Sequence, residues 1–135
     1  MIELFNRQGK ATAFCDGQSI YLWDGSPVAY LLDDKVFAFS GRFIGWLSDG
    51  WIIDDQGKCL LFESDAVRGP EKPQRQDKPA KGVPQAKPPR GALQTPPAHP
   101  AGSTEWSDHS FVQLVGTSKV LSELSMLERS LKRHS

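Results

Sequence analysis

The chain has 135 residues, with 16 Lys and Arg balanced by 16 Asp and Glu, and two cysteines. That length suits one compact domain, and no apolar stretch approaches the roughly 20 residues needed to cross a bilayer, so no membrane partner is expected. The balance excludes a uniformly basic or acidic chain but hides a segregation: residues 1–67 carry ten acids and five bases, residues 68–90 seven bases and two acids, and residues 91–135 four of each.

The start, Met1-Ile2-Glu3-Leu4-Phe5-Asn6, lacks the basic region and apolar run of a secretory signal. Cys15 and Cys59 have no zinc-type spacing. A cytoplasmic protein with reduced thiols is expected, with no metal and no cofactor. If the repeats close into a ring, the first and fourth become neighbours and a Cys15–Cys59 contact is conceivable; two ordinary small buried residues remain the simpler reading.

Residues 1–67 are an internal repeat. Gly9, Gly25, Gly41 and Gly57 recur every 16 residues, each followed five residues later by an aromatic: Phe14, Tyr30, Trp46 and Phe62. Three after each glycine stands Thr12, Val28, Ile44 or Leu60, and the same apolar pairs precede each glycine (Leu4-Phe5, Ile20-Tyr21, Val36-Phe37, Ile52-Ile53). Each unit reads as strand, turn, strand, turn. One turn holds the repeat glycine and the other falls at Asp16-Gly17, Asp33-Asp34 or Asp49-Gly50, residue types that tolerate positive φ. The prediction is an all-β domain of eight short strands in an antiparallel meander around a pseudo-fourfold axis. The alternation places Thr12/Phe14, Val28/Tyr30, Ile44/Trp46 and Leu60/Phe62 on one face, with the four aromatics as the repeat core. Ala13, Ala29, Gly45 and Leu61 fall on the other face.

The strings Ile20-Tyr21-Leu22-Trp23-Asp24-Gly25-Ser26-Pro27-Val28-Ala29-Tyr30 and Gly41-Arg42-Phe43-Ile44-Gly45-Trp46-Leu47, then Asp49-Gly50-Trp51-Ile52, resemble the bacterial 4-fold beta-flower domain proteins. The likeness continues into the spaced Pro/Lys/Arg tail (Gly69-Pro70, Lys72-Pro73, Lys78-Pro79, Lys81-Gly82, Pro89-Arg90-Gly91) and its end at Glu105-Trp106-Ser107 and Ser110-Phe111. It covers roughly residues 1–116. It implies a four-petalled β domain and brings no functional residues to carry over. The tail here has more proline and the acidic interruptions Glu71 and Asp77, and residues 117–135 look like an added extension.

Residues 68–102 hold nine of the ten prolines and only Val83 and Leu93 as large aliphatics, so no packed core is expected of them. The first reading is a solvated, disordered spacer. Two alternatives stand beside it. Arg68, Lys72, Arg75, Lys78, Lys81, Lys87 and Arg90 could neutralise the phosphates of a nucleic acid, although no aromatics are interleaved for base stacking. Or the basic tail could wrap the acidic β domain of its own or a second copy.

Residues 103–117 form a short aromatic motif in which Trp106, Phe111 and Leu114 suggest docking, in cis or in trans. Val120, Leu121, Leu124, Leu127 and Leu131 then show helical spacing over 118–133, with Ser118 as N-cap and Lys132 and Arg133 in the last turn. This short C-terminal helix implies a partner surface.

Chemistry is sparse. All three histidines (His99, His109, His134) lie outside the repeat, which removes a histidine-based triad or metal site from it. Asp33-Asp34 and Asp54-Asp55 read as turn residues rather than a catalytic pair. An enzyme is not expected. The expected function is a non-catalytic scaffold or docking module with an unidentified protein partner or self-association; nucleic-acid association through the basic tail is the alternative.

Overall fold

The computed structural model describes residues 1–116. The sequence-predicted helix over 118–133 lies outside the described residues. Eight strands form a closed antiparallel barrel in chain order: β1 Ile2–Phe5, β2 Ala11–Asp16, β3 Ser19–Leu22, β4 Pro27–Leu32, β5 Lys35–Ala38, β6 Phe43–Ser48, β7 Trp51–Ile53 and β8 Cys59–Phe62. One short helix, α1 (Phe111–Val115), follows.

The four glycine turns are copies of one another. In each, the glycine N–H donates to the carbonyl three residues earlier (Gly9 to Asn6, Gly25 to Leu22, Gly41 to Ala38, Gly57 to Asp54), at 2.9 to 3.1 Å. All four glycines have φ between 78° and 96°, the left-handed region that disfavours a Cβ. The intervening turns are the tight hairpins of the sequence reading, and Asp33 (φ 54°) and Asp49 (φ 53°) take the left-handed position there.

The expected facing is corrected by a β-bulge in every repeat. Leu4 pairs with Ala13 but Phe5 with Ala11, and the same skip recurs at Ile20/Tyr21, Val36/Phe37 and Ile52/Ile53. The skipped residues are Thr12, Val28, Ile44 and Leu60. An extra residue reverses the alternation on one side of the bulge, so Val28, Ile44 and Leu60 join a different cluster from Tyr30, Trp46 and Phe62.

Two packed layers result. Leu4, Ile20, Val36 and Ile52 from the odd strands meet Ala13, Ala29 and Leu61 from the even ones, all 0% exposed. Large odd-strand side chains against the small Ala13 and Ala29, with Leu61 as the one large even-strand residue among them, fill the axis of a narrow barrel. The even-strand aromatics Phe14, Tyr30, Trp46 and Phe62 are also buried, but in the outer layer with Phe5, Tyr21, Phe37 and Trp51. They pack as petals within one continuous cluster, for example Phe14 on Tyr21 at 5.3 Å and Tyr30 on Phe39 at 5.4 Å between ring centroids.

What buries the outer layer is the tail. Residues 68–102 have no helix or strand, as their composition requires, yet the expectation of a free solvated spacer is corrected: they form a strap laid over the aromatic petals. α1 closes one end of the axis. Its capping box, Ser110 with Gln113, satisfies the first turn, and Phe111 and Val115 are buried in the same cluster as Val28, Ile44 and Leu60.

Candidate functional site: the strapped outer face

The strap has a period of its own. Pro70, Pro79, Pro88 and Pro97 recur every nine residues, as do Lys72, Lys81, Arg90 and His99 two residues after each proline, and Gln76, Gln85 and Gln94. Four nonapeptides therefore meet four sixteen-residue units. A Cβ placed on Gly9, Gly25, Gly41 or Gly57 would run into the carbonyl of Gln74, Val83, Ala92 or Ala101 respectively, a series also spaced by nine. The repeat glycines thus serve twice, supplying a positive φ and admitting the strap backbone.

The main-chain contacts repeat with the same register. The N–H groups of Gln76, Gln85 and Gln94 donate to the carbonyls of Gly9, Gly25 and Gly41 at 2.8 to 2.9 Å. At the two middle stations Gly82 and Gly91 donate to Trp23 and Phe39; at the outer two that place is taken by Pro73 and Pro100, which have no N–H to give.

The side chains set a cation or an imidazole over the petals. Lys81 Nζ lies 5.1 Å from the Phe14 ring centre and 5.2 Å from that of Trp23. The Arg90 guanidinium lies 3.9 Å above Tyr30, and the His99 ring 4.5 Å from that of Trp46. Such contacts contribute about 0.5–2 kcal/mol each, more where water is excluded. At the first station the pattern breaks: Lys72 Nζ donates to the carbonyls of Ser64 and Ala66, and Arg75 lies 5.4 Å over Phe5 instead. Lys78 and Lys81 both bind Glu3 at 2.8 Å. Hydrogen bonds from Lys78 and then Lys81 hold the Glu3 carboxyl below its ordinary value. Arg68 pairs with Asp49 at 3.1 Å.

The chain's end is spent on the same barrel. Trp106 bridges to Cys59 and packs at 5.5 Å on Trp51 and 6.1 Å on Phe62, Phe111 is 2% exposed, and Leu114 packs at the edge of the axial cluster. Trp106 and Phe111 are therefore packed against the barrel. The family model of the 4-fold beta flower protein matches residues 2–115, which takes in barrel, strap and α1 together. The chain belongs to the 4-fold beta flower family. No curated protein and no solved structure matches it.

The flower's acids sit where turn chemistry puts them. Asp54 accepts from the N–H groups of Gln56 and Lys58 at 2.9 Å, as Asn6 does from those of Gln8 and Lys10. Its second oxygen takes the hydroxyl of Ser107 at 2.6 Å, and the Ser107 oxygen accepts the backbone N–H of His109. Serine, aspartate and histidine meet here without the order of a catalytic relay, in which the imidazole stands between hydroxyl and carboxylate. Ser107 is buried and its hydroxyl is bound directly to the carboxylate.

Two concavities lie beside the barrel's closing seam, where β1 and β8 pair only at Phe5 and Phe62. Two cavities of about 630 and 610 Å³ share Phe5, Ser64 and Arg75, and their walls mix Glu3 and Asp65 with Lys72 and Lys81. Among the described residues no group of three or more His, Cys, Asp or Glu is placed to hold a metal. No helix of the described residues is long and apolar enough to cross a membrane.

Sequence reading missed the nine-residue period and α1. The proline spacing carried the first signal, and Ser110-Phe111-Val112-Gln113, a capping box, carried the second.

Proposed function

We propose that this flower is a non-catalytic scaffold or docking module that works by holding extended, proline-rich, cationic chain against aromatic petals. The observation that supports it is the fourfold register of strap and barrel. Main-chain bonds to the repeat glycines provide a sequence-tolerant grip, and at the two middle stations the petals take a cation, Lys81 or Arg90, two residues after a proline. Aromatic-lined grooves take polyproline-type ligands in the same way, because such a segment has little conformational entropy to lose. The partner class is protein.

Nucleic-acid association through the basic tail is the weaker reading. Arg68, Lys72, Arg75, Lys78, Lys81 and Arg90 all have carbonyl, carboxylate or aromatic partners within the chain. Neutralising phosphates would require breaking those contacts first. The test is fluorescence anisotropy of labelled duplex DNA and single-stranded RNA with the full-length protein at low and moderate salt. The expected outcome is no binding at either salt. Binding that is present at low salt and fades steeply with added salt would replace the docking reading with a phosphate-contacting one.

A further inference from the structure

The strap touches the barrel at four repeated stations, but one short elbow decides whose barrel it touches. Val67 is fixed to its own barrel: its N–H donates to the Asp49 carbonyl and its carbonyl accepts from Trp51 Nε1, each at 2.9 Å. The next residue, Arg68, turns the chain back with φ 62°. Arg68 is the only non-glycine with positive φ outside the hairpin turns, among the described residues. Its side chain is largely exposed and its ion pair with Asp49 is a surface one, worth little. Holding a non-glycine in this region has a cost that an extended elbow would not carry.

We propose that the partner of the flower's outer face is the strap of a second copy of this chain, exchanged reciprocally by opening the elbow at Arg68. Every station contact, from Gln76 on Gly9 to Arg90 on Tyr30, is made between strap and barrel, so each can form equally well between two copies. The charge complement is the same in both arrangements, five net negative charges on residues 1–67 facing five net positive on 68–90. Exchange therefore keeps the intramolecular contacts, releases the elbow, and is opposed mainly by the entropy of association. Those are the conditions under which swapping an element is a low-cost route to a dimer.

The elbow provides a clean test, because two substitutions remove the same Arg68–Asp49 pair and push the backbone in opposite directions. Arg68→Gly accepts the left-handed turn and keeps the strap at home. Arg68→Pro fixes φ near −65° and forbids the turn. Light scattering behind size exclusion, at matched concentrations, is expected to give a dimer-to-monomer ratio at least about tenfold higher for Arg68→Pro than for Arg68→Gly. A folded, monomeric Arg68→Pro would overturn the proposal.

Unaltered full-length protein gives a second readout that does not depend on the proline variant folding. Copies with light and heavy nitrogen are mixed at high concentration, incubated and joined by a zero-length carboxyl–amine reagent. Lys78 and Lys81 stand 2.8 Å from Glu3, so they are the bonds expected to form. Exchange predicts mixed-isotope Glu3–Lys78 and Glu3–Lys81 peptides that grow with incubation and concentration. Same-isotope peptides alone, at every concentration, would show that the strap stays on its own barrel.

Discussion

Cys15 and Cys59 are 4% and 2% exposed, and neither has a disulfide partner. They lie in different layers, Cys15 with the axial cluster and Cys59 in the outer one, so ring closure does not bring them together as a pair. Burial, the largest cause, pushes both thiols from the ordinary 9.0 up to about 11, with Glu63 adding to the effect at Cys15 and Asp54 at Cys59. The consequence for stability has a definite sign. Between pH 9.0 and about 11 the unfolded chain releases two protons that the folded chain keeps. The stability present below pH 9.0 is therefore lost as pH rises through that window. Urea midpoints of the wild type should fall more steeply there than those of a Cys15→Ala/Cys59→Ala variant. The variant shares every lysine and tyrosine, so the difference in slope isolates the thiols. Parallel curves would place the thiols in water-like surroundings.

At the scale of elements, the strands were legible because turn chemistry and repeat spacing agree: Asp-Gly and Asp-Asp hairpins alternate with glycine turns every 16 residues. Which face each side chain takes was not legible. The bulge at Thr12, Val28, Ile44 and Leu60 leaves no mark in the apolar pattern, since an apolar residue suits either layer. The strap was hidden for a different reason. Proline density argues correctly against helix and strand, but it says nothing about docking, which here rests on main-chain bonds and on cations over rings. The information lay in the spacing of Pro70, Pro79, Pro88 and Pro97. If register is what docks the strap, its length matters more than its composition. One alanine inserted between Lys87 and Pro88 displaces Arg90 from Tyr30, and the N–H groups of Gly91 and Gln94 from Phe39 and Gly41. Two hydrogen bonds at about 1 kcal/mol each and a cation–aromatic contact of similar size give an expected loss of about 2–4 kcal/mol in urea unfolding. A loss below about 0.5 kcal/mol would return the strap to the status of a spacer.

Taken as a whole molecule, the flower is unusual in having two apolar faces on one small sheet. A closed barrel normally buries its inner face and leaves the outer one to water, with polar residues alternating outward. Here the outward positions are aromatic. Phe5, Phe14, Tyr30 and Phe62 are at most 1% exposed, and the strap and Trp106 set Arg75, Lys81, Arg90 and the Trp106 ring against them. The folding unit is then residues 1–116 rather than 1–67, in line with the span of 2–115 over which the family model matches. A domain of about 60 residues buries only about 60% of its unfolded surface even when its exterior is polar. Without the strap, four aromatic petals would face water as a contiguous patch, which soluble monomers rarely tolerate. The expected result is that residues 1–116 unfold in urea as a single cooperative transition, monitored by tryptophan fluorescence. Residues 1–67 should instead bind a hydrophobic dye, associate, and lack a cooperative transition. A monomeric 1–67 fragment that unfolds cooperatively and ignores the dye would mean that the barrel is self-sufficient and the strap is an accessory laid on a finished fold.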